Sequence, residues 1–175
     1  GVAEGQYLTT LLGADPEKLP WNEAWSGCPV STPARGGSVQ LEAKDLPVLT
    51  LLSPSPVELQ KLYKVWAKEL ERLRLKHRDL PEVMPQARGG NRATLEVLAA
   101  RNTSEDKSVP NGSSIAFLLE HRGASALFCA DAFPGILGPA IQSVIERRGL
   151  KSPLTVDVIK LSHHGSRANT TNELL

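Results

Sequence analysis

Three features of the sequence predict an α/β fold. A short apolar strand is followed at once by a capped helix, the last third reads strand, turn, strand, helix, strand, and 175 residues at 41% hydrophobic content suffice for one core. Lys and Arg total 20 against 19 Asp and Glu, so no global field draws the chain to nucleic acid or to a membrane surface. Cys28 and Cys129 fit neither a C-x-x-C metal motif nor a dense disulfide framework, and both read as reduced thiols. No apolar run reaches the roughly 18 to 20 residues that span a bilayer, and residues 1–6 lack the basic and apolar regions of a signal peptide. A cytoplasmic protein without a membrane partner is the expectation.

Residues 13–37 are rich in Pro and Gly and carry Trp21 and Trp25, which predicts irregular chain pinned by two aromatic anchors, with little chemistry. Residues 47–52 form an apolar run closed by Ser53-Pro54-Ser55-Pro56, a buried strand and then a break. Ser55 can cap the next helix, Pro56 suits its first position, and Glu58 completes a capping box. Leu59, Leu62, Tyr63, Trp66, Leu70 and Leu73 then carry the helix over residues 56–77. Its basic residues are interspersed with Glu58, Glu69 and Glu71 and read as a solvated face, with a nucleic-acid stripe as the alternative. Residues 79–110 hold Pro81, Pro85 and Gly89-Gly90 before a long polar stretch. They predict a long, partly mobile connection with one short strand at 94–99.

From Asn111 the pattern tightens. Residues 115–120 and 125–130 predict a hairpin about Arg122-Gly123, and the chain then meets Asp131. After Pro134, residues Ile136, Leu137, Ala140, Ile141, Val144 and Ile145 mark one apolar face of a helix that stops at Gly149. Residues 155–161 form a strand running into Ser162-His163-His164-Gly165-Ser166, and Thr170 with Glu173 makes a second capping box that predicts a further helix.

Asp131 and the His163-His164 pair each follow a predicted strand, with a helix between the two strands, which is where α/β folds place their working groups. A carboxylate can bridge two divalent cations, a neutral imidazole binds one, and two cations about 4 Å apart can activate water for attack on an ester. Local reading leaves a second role open for each: Asp131 can be a helix cap, and the histidines can be an ordinary turn. His77, at the end of a basic helix, and His121, at a hairpin tip, have no clustered partners.

The runs Asn111-Gly112-Ser113-Ser114-Ile115, Ala126-Leu127-Phe128-Cys129-Ala130-Asp131-Ala132 and Val156-Asp157-Val158-Ile159-Lys160-Leu161-Ser162-His163-His164-Gly165-Ser166 resemble the C-terminal half of metallo-β-lactamase-fold hydrolases. They are most similar to the branch containing the C-terminal domain of bacterial DNA-uptake channel proteins, phosphorylcholine esterases and metallohydrolases of bacterial defence loci. The resemblance implies an αββα sandwich, of which this chain is an incomplete part, and a hydrolase acting on a phosphodiester or related ester. It implies two divalent cations, zinc or manganese, with Asp131 as bridging carboxylate and His164, directly followed by Gly165, as the last ligand. His163 would line the pocket and donate a proton to the leaving group, and Ser166, Asn111 and Ser113 would lie around it.

Two departures stand out. The Gly that precedes the Asp in the family is Ala130 here, and no H-x-H-x-D-H loop occurs. The expectation is therefore a piece of one metallo-β-lactamase-like domain, holding two of roughly seven ligands and inactive alone. Its partners would be the remainder of that domain and a phosphoester or nucleic-acid substrate. The alternative function is a metal-free scaffold of the same fold, serving as a binding or assembly module.

Overall fold

The Arg122-Gly123 turn places both of its residues at positive φ, 49° and 83°, as a two-residue type I′ hairpin requires, and a glycine at the second position takes that conformation without strain. In the computed structural model, which describes residues 2–14, 22–42, 45–73, 108–151, 153–165 and 169–171, this turn joins strands β3 (Ala116–His121) and β4 (Ala124–Phe128). Upstream lie β1 (Val39–Leu41) and β2 (Val48–Ser53), and β5 (Val158–Lys160) comes last. Among the described residues the helices are α1 (Val2–Ala14), α2 (Pro56–Leu73), α3 (Val109–Gly112) and α4 (Pro134–Arg147). The result is a mixed α/β fold around one five-stranded sheet of order β1-β2-β3-β4-β5.

The chain divides into two compact units. In the first, Gly1–Pro29 with Val65–Thr103, α1 lies against the Trp66 indole at Gly5, where an added Cβ would sit 2.3 Å from the ring. The turn around Glu23–Trp25 closes on itself through Trp25 N–H to Asn22 O (2.9 Å) and Asn22 Nδ2 to Cys28 O (2.9 Å). It needs no aromatic pin, and Trp25 is 41% exposed rather than an anchor; Trp21 lies outside the described residues.

The second unit, Val30–Lys64 with Ser104–Leu175, contains the sheet. Strands β1 to β4 run antiparallel in sequence order, and β5 joins β4 in parallel with Phe128 opposite Lys160. A parallel partner requires a crossover, which α4 provides. Its buried face, Leu137, Ala140 and Val144, packs with Leu52, Ala116, Leu118, Leu127 and Cys129 into one cluster. At the start of α2 the Ser55 hydroxyl donates to the Glu58 carboxylate, a side-chain pairing that stands where the expected capping box would use reciprocal bonds to the backbone.

The segment before β1 is irregular where described, as its Pro and Gly content predicts, and it packs onto α4. Gly36 (φ 78°) lies so close to α4 that a Cβ there would stand 2.8 Å from Pro139, Ser38 Oγ is 3.3 Å from Ser143 Oγ, and the Arg147 guanidinium donates to Ser38. The predicted strand 155–161 pairs with β4 only over Val158–Lys160, and among the described residues β5 lies at the edge of the sheet. The predicted strand 94–99, the end of the 56–77 helix beyond Leu73, His77 and Glu173 lie outside the described residues.

Opposite edges of this core make two outcomes expected. Leu118, 1% exposed, should cost about 2 to 5 kcal/mol as Leu118→Ala, read as a lower urea midpoint at unchanged slope. Leu46→Ala, at a 63% exposed position, should stay within about 0.5 kcal/mol; equal effects would contradict the core assignment.

Asp157 supplies a pH test. Its Oδ2 accepts from the Ser125 N–H (2.7 Å) and hydroxyl (2.9 Å), and these bonds hold its carboxyl below the ordinary aspartate range. A carboxyl whose pKa is lower in the folded than in the unfolded state stabilises above the unfolded value and loses that contribution as pH falls through the folded one. Asp157→Ala is thus expected to destabilise at neutral pH and to converge on the parent in acid. Denaturation midpoints across pH check this, and a gap widening toward acid would overturn it.

Candidate metal centre

Parallel pairing decides where the candidate residues emerge. Because Phe128 stands opposite Lys160, and Cys129 N–H continues the ladder to Lys160 O at 3.1 Å, the chain leaves β4 and β5 at the same end of the sheet. Asp131 lies just past the end of β4, and the backbone of His163 and His164 forms a 3-10 turn, Ser162–Gly165, just past β5. The antiparallel register of Phe117 with Phe128 brings the start of β3 to that end too, so Asn111 and Ser113, shortly before β3, belong with them. Ser166 lies outside the described residues.

Each loop is shaped by a local cause. Ala130 adopts φ 49°, the left-handed region that favours glycine, and there the chain turns out of β4 toward Asp131. Cap geometry removes one of the two local readings of Asp131: the cap of α4 is Phe133, with Pro134 next and no side-chain cap bond. Among the described residues, no group donates to the Asp131 carboxylate, whereas its backbone carbonyl accepts from Asn169 Nδ2 at 3.1 Å. α3 reaches the loop through Gly112, where a Cβ would stand 2.9 Å from the Phe133 ring. The Ser113 hydroxyl closes α3, donating toward Val109 O and Pro110 O at 2.9 Å each.

Polar groups around the loops were silent in the sequence. Asn169 is 0% exposed, yet its only local signal was a polar residue among other polar residues. Burial pushes the Cys129 thiol up, against the lowering effect of the Ser162 hydroxyl and of Lys160, which keeps it a protonated core thiol. A cavity of about 60 Å³ opens by α3, lined by Arg35, Glu58, Lys61, Ser108, Phe133 and Ile136 among others, with Glu58 Oε1 3.5 Å from Arg35 Nε. Lys61, assigned to a solvated face from its spacing, and Arg35, in the Pro- and Gly-rich segment, both border it.

A carboxylate and imidazoles are donor types that fit a divalent cation in kind. Among the described residues no group of three or more His, Cys, Asp or Glu stands together, so further donors would come from outside them. Nor is any helix among them long and apolar enough to cross a membrane. No protein-family model, no curated protein and no solved structure matches the chain.

Ala130 gives a stability test for this loop. A left-handed alanine costs about 1 to 2 kcal/mol, and glycine's extra entropy about 0.5 to 1 kcal/mol. Ala130→Gly is therefore expected to raise stability modestly, by roughly 0.5 to 1 kcal/mol, seen as a higher denaturation midpoint. A clear loss would show that the loop does not hold that conformation.

Proposed function

We propose that this chain supplies part of the metal centre of a metallo-β-lactamase-like hydrolase that cleaves a phosphodiester or related ester. The observation that carries the reading is the parallel β4–β5 pairing, which sends the Asp131 loop and the His163-His164 turn out of one end of the sheet. Ligands placed on loops beyond the carboxyl ends of parallel strands are the usual arrangement in such sheets.

The finer fold assignment, an αββα sandwich, draws support from the second sheet face. Leu118 and Leu127 face α4, so the alternate set, Leu49, Leu51, Phe117, Leu119 and Phe128, lines the other side, with Phe117 and Phe128 stacked at 4.8 Å. A sheet apolar on both faces is built for a layer on each.

Bound divalent cations, zinc or manganese, would supply Lewis-acid activation of water. Asp131 and His164 would hold them, and His163 would carry a proton to the leaving oxygen of the ester. The fully buried Asn169 would keep the Asp131 backbone in place from below. Reduced Cys28 and Cys129 accord with a cytoplasmic protein.

In the intact protein, Asp131→Asn is expected to abolish hydrolysis while leaving the fold unchanged, since it keeps the volume but not the charge that bridges two cations. His164→Ala should lose metal and activity together. His163→Ala should retain metal but turn over about 10² to 10⁴-fold more slowly. Metal content and phosphodiesterase rates decide: reversed histidine phenotypes would make His163 the ligand, and full activity in Asp131→Asn would reject the bridging role.

A further inference from the structure

Among the described residues, the loops at the candidate end are tied by a hydrogen bond from an amide that still has an unused acceptor. Asn169, 0% exposed, donates from Nδ2 to the Asp131 carbonyl at 3.1 Å and so ties chain positions 38 residues apart. Among the described residues its Oδ1 has no hydrogen-bond donor. A buried amide oxygen without a donor is destabilising, and such orphans call for a partner. Asn169 follows shortly after the Ser162–Gly165 turn that carries His163 and His164.

An imidazole that binds a cation through one nitrogen commonly donates its other N–H to a carbonyl or carboxylate, which fixes the ring's tautomer and orientation. We propose that Asn169 is a positioning residue of the metal centre, its Nδ2 holding the Asp131 backbone and its Oδ1 offering an acceptor for the ring N–H of a cation-binding imidazole. This rests on the metallohydrolase reading above. An amide suits the position because a single planar group offers a donor on one side and an acceptor on the other. Aspartate would keep the acceptor but set a second oxygen against the Asp131 carbonyl, and alanine would offer neither.

The test measures zinc affinity in the intact protein by competition with a chromogenic chelator, beside thermal unfolding, for Asn169→Ala, Asn169→Asp and Asp131→Asn. Asn169→Ala is expected to weaken zinc binding about 10- to 100-fold. Asn169→Asp should recover most of that affinity while unfolding at a lower temperature than the parent, a split that a merely structural tie would not produce. Parental zinc affinity in Asn169→Ala, or equal weakness in both Asn169 variants, overturns the proposal. Should Asn169→Ala not fold, a folded Asn169→Asp at near-parental affinity supports it and a folded but weak one overturns it. Zinc binding that is unchanged in Asp131→Asn would reject the metal reading itself, and this inference with it. Zinc binding that is lost there but parental in Asn169→Ala would reject this inference alone.

Discussion

The parallel ladder between β4 and β5 is the constraint on which the rest of the sheet unit depends. Antiparallel neighbours can be joined by a two-residue turn, as β3 and β4 are, but a parallel neighbour must be reached by carrying the chain back along the sheet. That return path is α4, and α4 supplies the layer whose Leu137, Ala140 and Val144 bury the core. One pairing choice therefore sets the crossover helix, the covered face and the common exit of the Asp131 loop and the His163-His164 turn.

The two ends of the sheet are built differently. At the far end, Arg148 grips Glu120 through two hydrogen bonds of 2.8 and 2.6 Å, and Asp157 is held by Ser125, so polar groups there are matched. At the candidate end the buried Asn169 Oδ1 and Thr170 Oγ1 have no partner among the described residues, while left-handed non-glycine residues occur at both ends, Ala130 here and Arg122 at the far one. Strain and unmatched polar atoms persist in a fold only where the surroundings hold them in place, and they concentrate where a protein does its work. The unmatched polar atoms at this end fit the reading proposed for the same loops.

Elements with strong local signals were legible in the sequence: the capped start of α2, the Arg122-Gly123 hairpin and the apolar face of α4 each follow from neighbours in the chain. What was missed depends on distant partners or on weak propensity. β1 is three residues long, too short for a period-two pattern, and exists because Val39 to Leu41 pair with β2. α1 contains Gly5 and two adjacent threonines, whose hydroxyls bond back to Gly5 O and Gln6 O at 2.9 and 3.0 Å, a composition poor in helix propensity. Of the candidate site, the loops carrying Asp131 and the histidines were readable from strand ends. Arg35, Lys61 and Asn169 reach this end of the sheet only through tertiary packing.

The removal of the capping role from Asp131 changes what its carboxylate has to explain. A short acidic side chain before a helix ordinarily accepts the first free N–H groups, and that alone would account for it. Here the helix begins later, at Phe133 and Pro134, because proline in the first turn has no N–H to offer and the extended Phe133 before it sets the entry of the chain. Asp131 is left half-buried in the turn before the helix, its backbone anchored by Asn169 and its carboxylate without a donor among the described residues. An anchored backbone and a carboxylate without a donor among the described residues suit the cation-ligand role proposed above, which needs a rigid attachment and free lone pairs.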